Sequence, residues 1–364
     1  MRIALVTPYD YPSTRGNAVT VQRIAAGLRE RGHQVGIYSL EAFQDRREVP
    51  SVIRDFGPDL VHGFHAYMTG DLVVAEAVGA GVPGLVTITG TDVNYDLFDS
   101  ERRGRVVEVL KGAQGVVAFH RSIQEKLLRE VPELHGRVRV IRQTVACDGK
   151  EDDHHAQWGL DSRHIIFFFP AGIRRVKNLP FCVPPLSRLQ VSYSNLRALY
   201  AGPVVEEEEG RRLLGLLAGN EWARYLGEVP HEVICSMLRV VDVVVNSSLS
   251  EGGMSNAVLE AMSRGVAVLA SDIEGNRSII IDEVDGLLFT SEDDFERKAE
   301  RLILDPDLRR RLGRHAKAKI ERDFSREREI DAYEQLYRDL HGAVVGTGES
   351  QAPGPGPLAG RDPR

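Results

Sequence analysis

Cysteine is scarce in this chain of 364 residues: Cys147, Cys182 and Cys235 stand far apart, with no C-x-x-C and no Cys/His spacing. That excludes a disulfide-dense scaffold and a zinc site of recognisable spacing, and it predicts three free thiols in a reducing compartment. Long hydrophobic runs are also missing, since none approaches the ~18 residues that a membrane span needs. Positive charge is not in excess. Lys+Arg number 46 against 53 Asp+Glu, a net charge of −7, which argues against a role in gripping nucleic acid. Met1–Val6 reads as a strand and not as a charged and then apolar leader, so the chain is expected to be cytoplasmic. The basic stretch Arg309–Arg311 with Arg314 and Lys317 reads as a solvated helix face, allowing at most peripheral contact with a membrane. No G-x-G-x-x-G occurs, so a dinucleotide fingerprint is absent.

What is present is a balance of 42% hydrophobic and 27% charged residues, enough for two packed cores of roughly 150–200 residues each. Apolar runs alternate with amphipathic stretches throughout. Ile3–Thr7, Val35–Ser39, Asp59–His62, Gly84–Ile88, Gly115–Ala118 and Val138–Ile141 read as strands. Ala18–Arg31 reads as a helix that Gly32 ends. Strands that are apolar throughout and separated by helices predict a parallel sheet covered on both faces. The pattern breaks over 146–162, a polar, turn-prone linker. It resumes with Ile165–Phe169, Leu196–Tyr200, Ala223–Leu226, Val241–Asn246, Ala267–Ala270 and Gly286–Phe289. The reading is therefore α/β, with two doubly wound Rossmann-like domains over 1–145 and 163–324 facing a central cleft. A last helix (325–341) carries Ile330, Tyr333, Leu336 and Tyr337 at helical spacing, and a Gly/Pro-rich tail over 343–364 reads as disordered.

Four segments at strand ends could carry chemistry. In the first, Pro8–Asn17, Gly16 allows close approach of a ligand and Asn17 is a candidate helix cap. The second, Thr87–Asn94, places Thr89, Gly90 and Asp92 at the cleft. The third, Ala171–Asn178, brings Arg174 and Lys177 to the mouth of the second domain's first strand, where a diphosphate would be met. In the fourth, Asn246–Met262, a strand runs into Gly252 and Gly253, and a helix opens near Asn256. Glu260 lies in that helix among Val258, Leu259, Ala261 and Met262. A carboxylate there needs a partner, and a vicinal diol such as a ribose suits it.

These segments in this order resemble the retaining GT-B glycosyltransferases of glycosyltransferase family 4, over about residues 1–340. The strongest part is S-E-G-G-M-S-N-A-V-L-E-A-M, which is similar to that family's E-x7-E motif. The G-N-A-V-T-V-Q-R, G-T-D-V-N and I-R-R-V-K-N segments also resemble the glycosyltransferase 1 domain-containing proteins. A weaker likeness is to the selenosugar synthases. The resemblance implies Arg174 and Lys177 on the donor diphosphate, Glu260 on the ribose and Glu251 on the donor sugar. It further implies Gly252, Gly253, Met254, Ser255 and Asn256 around sugar and phosphate, Gly16 with Asn17 against the diphosphate, and Val229–Pro230 against the base. Two departures stand out. Glu251 and Glu260 are nine apart where the motif has eight, and Thr89 occupies a position where many members have His, leaving Thr89 or Asp92 to meet the sugar.

The implied reaction transfers a sugar from a nucleoside-diphosphate donor, by family habit a UDP-sugar, to an acceptor that is a small molecule, a glycan or a lipid-linked group. Retention without an enzyme nucleophile fits front-face attack, with the donor phosphate taking the acceptor's proton. No D-x-D follows a strand at the cleft, so no metal and no other cofactor is expected. Three alternatives use the same architecture: a selenosugar-synthase-like transfer to a small acceptor, a nucleotide-sugar epimerase, and a silent nucleotide-sugar-binding module. Release of free nucleoside diphosphate separates the transferases from an epimerase, and binding without turnover marks the silent module.

Overall fold

The computed structural model describes residues 1–9, 16–145, 147, 158, 160–251 and 253–348. Two six-stranded sheets organise them, parallel throughout. The first contains β1 (Arg2–Thr7), β2 (Gln34–Ser39), β3 (Leu60–Phe64), β4 (Gly84–Thr87), β5 (Gly115–Ala118) and β6 (Val138–Val140), in the order β2-β1-β3-β4-β5-β6. The second contains β7 (Ile165–Pro170), β8 (Leu196–Ala201), β9 (Ala223–Tyr225), β10 (Val243–Asn246), β11 (Ala267–Ser271) and β12 (Leu287–Phe289), in the order β12-β11-β10-β7-β8-β9. The central strands β1, β3, β4, β5, β7 and β10 are apolar almost throughout because helices cover both faces, leaving no solvated side for polar residues.

Each order reverses once, between β1 and β3 in the first sheet and between β7 and β10 in the second. Strands diverge at such a switch point, and the crevice outside their carboxyl ends is where doubly wound sheets bind ligands. Of the four sequence segments singled out above, Pro8 and Tyr9 follow β1, 171–178 follow β7 and the described residues of 246–262 follow β10, while 87–94 follow β4, next to β3; residues 10–15 and 252 lie outside the described residues.

The last helix, Arg326–Gly348, returns to the first domain. Ile330, Tyr333, Leu336 and Tyr337 join the core cluster of Ile3, Leu5, Val21 and Ile24. A Cβ on Gly27 would sit 2.5 Å from Ile330, so the helices meet at glycine distance. Beside that contact Arg23 and Glu329 form a buried, two-pronged ion pair at 2.8 and 3.0 Å. Removing one partner would strand a buried charge at a cost of about 3–5 kcal/mol. His62 is fully buried, bonded to the Tyr337 hydroxyl and to Thr87 Oγ1, each at 2.7 Å, and burial pushes its imidazole down to about 3. It ties the returning helix to the sheet.

Three expectations are corrected. Cys147 and Cys235 are not free thiols but form a disulfide that spans 88 residues; only Cys182 is a free thiol, and it is buried. Residues 343–348, expected in the tail, continue the helix to Gly348, and 349–364 lie outside the described residues. Asn17 is not a cap but sits in the first turn of the helix Gly16–Glu30, its amide donating to Thr89 Oγ1 at 3.3 Å. Most of the 146–162 linker falls outside the described residues, although Cys147 and Leu160 are buried in the second domain's core. Among the described residues no helix is long and apolar enough to cross a membrane.

Candidate active site

The carboxyl ends of β7 and β10 bring two loops together. Gly202, at the end of β8, has φ +146, and a Cβ there would fall 2.4 Å from the Ala171 carbonyl oxygen, so glycine is required for the β7 loop to turn. That turn places Arg174 at the surface, where its side chain has no hydrogen bond or ion pair among the described residues, and carries Lys177 inward. Lys177 pairs with Glu251 from the β10 loop, and both side chains are largely buried. Glu251 Oε1 also accepts from Ser248 Oγ at 2.7 Å and from Asn246 Nδ2 at 3.1 Å. Burial alone would raise this carboxyl, but Lys177, helped by Ser248 and Asn246, outweighs it and holds the group below the usual carboxylate range. Glu251 is therefore an anion at neutral pH, with Oε2 free of hydrogen bonds among the described residues.

Asn246, to which sequence reading assigned no role, is the hub of the loop. Its amide also donates to Ser255 Oγ at 2.9 Å, and its oxygen accepts from the Ser248 backbone N–H at 3.1 Å. These bonds fix the start of the helix Asn256–Ser263, whose first N–H groups carry positive partial charge. Ser255 and Met254 are buried, Met254 within the core, so these positions can meet a ligand only through their backbone. Gly252 lies outside the described residues. Gly253 abuts Phe119 of the first domain, since a Cβ there would be 2.9 Å from the ring.

Glu260, one turn into that helix, is buried, and its partner is His231, Nε2 to Oε1 at 2.9 Å. His231 opens the helix His231–Met237 directly after Val229 and Pro230, with Val229 half-buried against the second core. The Glu260 carboxylate raises the His231 imidazole above its ordinary value, against the opposing effect of burial. The sequence carried one signal for this pair: a carboxylate among apolar residues demands a partner. It did not say which residue from another loop would supply it.

On the first domain's side, Asp92 does not reach into the cleft. It is fully buried and accepts from four backbone N–H groups: Ala66 at 2.9 Å, Thr89 at 3.2 Å, Gly90 at 2.7 Å and Val93 at 3.1 Å. Its expected contact with the sugar is thus replaced by a scaffolding role, pinning the turn that presents Thr89 and starts a π-helical turn over Asp92–Asp96. Thr89 keeps a polar side chain at the cleft, shared with Asn17. His65 has φ +89 and bonds Thr91 Oγ1 at 2.7 Å.

The domains touch across the cleft. Asn94 donates to Ser250 Oγ and to the Glu251 carbonyl, each at 3.4 Å. Lys126 reaches Asn94 Oδ1 and Glu274 Oε2, each at 2.6 Å, and Gln143 donates to Asn256. Beside this contact His120 is buried and bonded to Ser122 Oγ at 2.7 Å, its Nε2 left without a partner; burial lowers its imidazole to about 4.

The loops at this end of the second sheet offer a lysine, a helix N-terminus and two carboxylates, with the free Arg174 guanidinium on the same loop as Lys177, a set suited to a diphosphate joined to hydroxyl-bearing sugars. Comparison with known proteins agrees. The profile of the glycosyl transferases group 1 family matches residues 150–319. A glycosyltransferase 1 domain-containing protein 1 from Xenopus tropicalis is 30% identical over 334 residues, covering 89% of this chain and 94% of that protein. The phosphatidyl-myo-inositol mannosyltransferase of Mycolicibacterium smegmatis is 23% identical over 324 residues, covering 80% and 82%. Among solved structures, sucrose-phosphate synthase from Thermosynechococcus elongatus superposes with a TM-score of 0.80 at 19% identity, over 94% of this chain and 99% of that one. Anabaena HepE in complex with UDP and glucose superposes with a TM-score of 0.76 at 15% identity, over 93% and 100%. The two sheets and their cleft are thus the GT-B fold.

Proposed function

This chain is a member of the glycosyl transferases group 1 family, and on that premise we propose that it moves a sugar from a UDP-sugar to an acceptor hydroxyl or similar nucleophile, retaining the anomeric configuration. The observation that carries the reading is the meeting of Lys177 from the β7 loop with Glu251 beside the start of the helix Asn256–Ser263, with Arg174 exposed on the same loop. A lysine already paired with Glu251 still has two N–H donors for a phosphate oxygen. Glu251, held by Lys177, Ser248 and Asn246, keeps Oε2 for a sugar hydroxyl. Glu260 keeps Oε2 for the ribose, while the backbone of Gly253–Asn256 lines the sugar and phosphate.

In the proposed step the bond from the anomeric carbon to the diphosphate oxygen breaks as the acceptor oxygen bonds that carbon on the same face. The acceptor's proton passes to the departing phosphate oxygen. The enzyme supplies position and charge: Arg174, Lys177 and the helix N-terminus stabilise the diphosphate as it gains negative charge, worth several kcal/mol in such sites. These groups take the part a metal ion plays elsewhere, so the reaction runs without one. UDP as donor nucleotide is supported by HepE, which was solved with UDP and glucose.

The test is release of free nucleoside diphosphate from a panel of UDP-, GDP- and ADP-sugars in the presence of EDTA. Release from a UDP-sugar, lost in Lys177→Ala and Glu260→Ala, is the expected result. Conversion of the donor without release, or binding without turnover, would refute the transfer reading. NMR of the first product then reads the anomeric configuration, and inversion would refute the front-face route.

A further inference from the structure

Buried carboxylates in this chain use either one oxygen or both: Glu76 has only Oε1 near Arg54, at 3.6 Å, and Asp96 takes its hydrogen bond from Arg102 on Oδ1. Glu329 gives one oxygen to each of two Arg23 nitrogens, and Asp92 and Asp285 likewise accept on both. Glu260 belongs with those met on one oxygen. It is buried in the helix Asn256–Ser263, yet only Oε1 has a partner, His231 Nε2 at 2.9 Å, and Oε2 accepts nothing from the described residues. Neither Glu260 oxygen is among the fully buried atoms without a partner, so Oε2 is not sealed in the core and stays open to a ligand.

His231 is well placed to decide where that oxygen points. It is the first residue of its helix, immediately after the Val229–Pro230 turn, and is 30% exposed in its side chain, so it borders the crevice and not the core. Its own helix is pinned one turn further on. Cys235, whose sulfur is 3.8 Å from His231 Nε2, is cross-linked to Cys147, which is buried in the same core. The imidazole therefore approaches Glu260 from a fixed base, and its single N–H fixes the carboxylate's rotation about the side-chain bond.

We propose that His231 is a positioning residue for nucleoside recognition: by holding Oε1 of Glu260 it presents Oε2 to the cis-diol of the donor's ribose. This rests on the reading of Glu260 as the ribose ligand and adds to it a residue outside the glycine loop. His231 does not touch the reacting atoms. Its removal acts on nucleotide affinity through the ribose hydroxyls and leaves the phosphate contacts in place.

The experiment is calorimetric titration of the full chain with UDP and with 2′-deoxy-UDP, repeated with the GDP pair. The wild type is expected to prefer the ribonucleotide by about 10-fold or more, as for a hydroxyl bonded to a charged group. His231→Ala is expected to weaken the ribonucleotide by about 10-fold and the deoxynucleotide by no more than about 2-fold, so that the preference collapses. His231→Gln, whose amide can donate to Oε1, is expected to restore most of it. Should His231→Ala fail to fold, His231→Phe fills the space without a donor and gives the same readout. Equal weakening of both nucleotides would overturn the proposal, because packing alone would do that. No preference in the wild type, with either base, would overturn the Glu260 reading itself and the proposal with it.

Discussion

At the carboxyl end of the first sheet most polar groups answer one another, Ser39 Oγ and His120 Nε2 excepted. Asp92 is consumed by four backbone N–H groups, His62 by Tyr337 and Thr87, and His65 by Thr91 and the N–H of Met68. At the carboxyl end of the second sheet they hold something back. Arg174 has no partner among the described residues, and Glu251 and Glu260 each keep one oxygen unused there. Both regions are rich in hydroxyls, histidines and acids, so composition does not distinguish them. What differs is saturation. A wall that must stay rigid satisfies most of its own groups, whereas the surface that the proposed function gives to a diphosphate and two sugars leaves donors and acceptors for the ligand.

The comparison breaks most directly at Arg174 and Asp92. Arg174→Ala removes a side chain that supports nothing in the fold, so thermal unfolding should be unchanged. The donor-phosphate reading predicts a fall in kcat of about 100- to 1000-fold, the usual effect of losing one stabiliser of transition-state charge. Asp92→Ala should do the reverse in kind. Leaving backbone N–H groups buried without an acceptor costs about 3 kcal/mol or more, read as a lower urea midpoint. If Arg174→Ala unfolds the protein, or Asp92→Ala leaves the midpoint unmoved, the distinction between a binding surface and a rigid wall fails.

Acid should find the saturated side first. Burial depresses His62 to about 3 and His120 to about 4, both on the first domain, while in the unfolded chain each titrates near 6.5. Between those values the unfolded state binds more protons, so stability rises with pH across the window. The contribution is complete above about pH 6.5 and is lost as pH falls toward 4. For His120 alone the loss reaches roughly 3 kcal/mol. Urea midpoints at pH 7.5, 5.5 and 4.5 should therefore decline, and His120→Asn should flatten the decline. A midpoint that does not change with pH would mean that these imidazoles are not buried as described.

Much of this was legible before the fold was known. All twelve strands lie within a few residues of their expected positions because each is a short apolar run between helical stretches, and a strand buried on both faces has no other signature. The glycine loop and Glu260 stood out because paired glycines and a carboxylate are rare in the middle of a core pattern, and Lys177 because it is a basic residue at the mouth of a strand. What stayed hidden depends on contacts across long separations. The Cys147–Cys235 bond joins residues 88 apart that share no spacing motif. His231 meets Glu260 across 29 residues, and Asn246 looked like the end of a strand until its four bonds were seen. Asp92 misled for the opposite reason: an acid after a strand can serve either ligand or backbone, and only the direction of the neighbouring N–H groups decides.

The smallest effect is expected where the two regions meet. Lys126 joins Asn94 of its own domain to Glu274 of the other, while Asn94 reaches Ser250 and the Glu251 carbonyl. Both ends of the ion pair are partly exposed, at 21% and 33%, so water screens it and its worth is about 1 kcal/mol or less. On the proposed function the cleft closes over the donor, and that energy is enough to bias the closure, because 1 kcal/mol changes a two-state ratio about fivefold. Lys126→Ala should therefore raise the donor KM by up to about fivefold and leave kcat close to wild type, since none of the charge facing the diphosphate is lost. Glu274→Gln should do the same, and the double variant should add little to either, as expected for one shared contact. Strictly additive effects would mean that Lys126 and Glu274 act separately, and a fall in kcat would mean that the contact shapes the chemistry instead of the closing of the cleft.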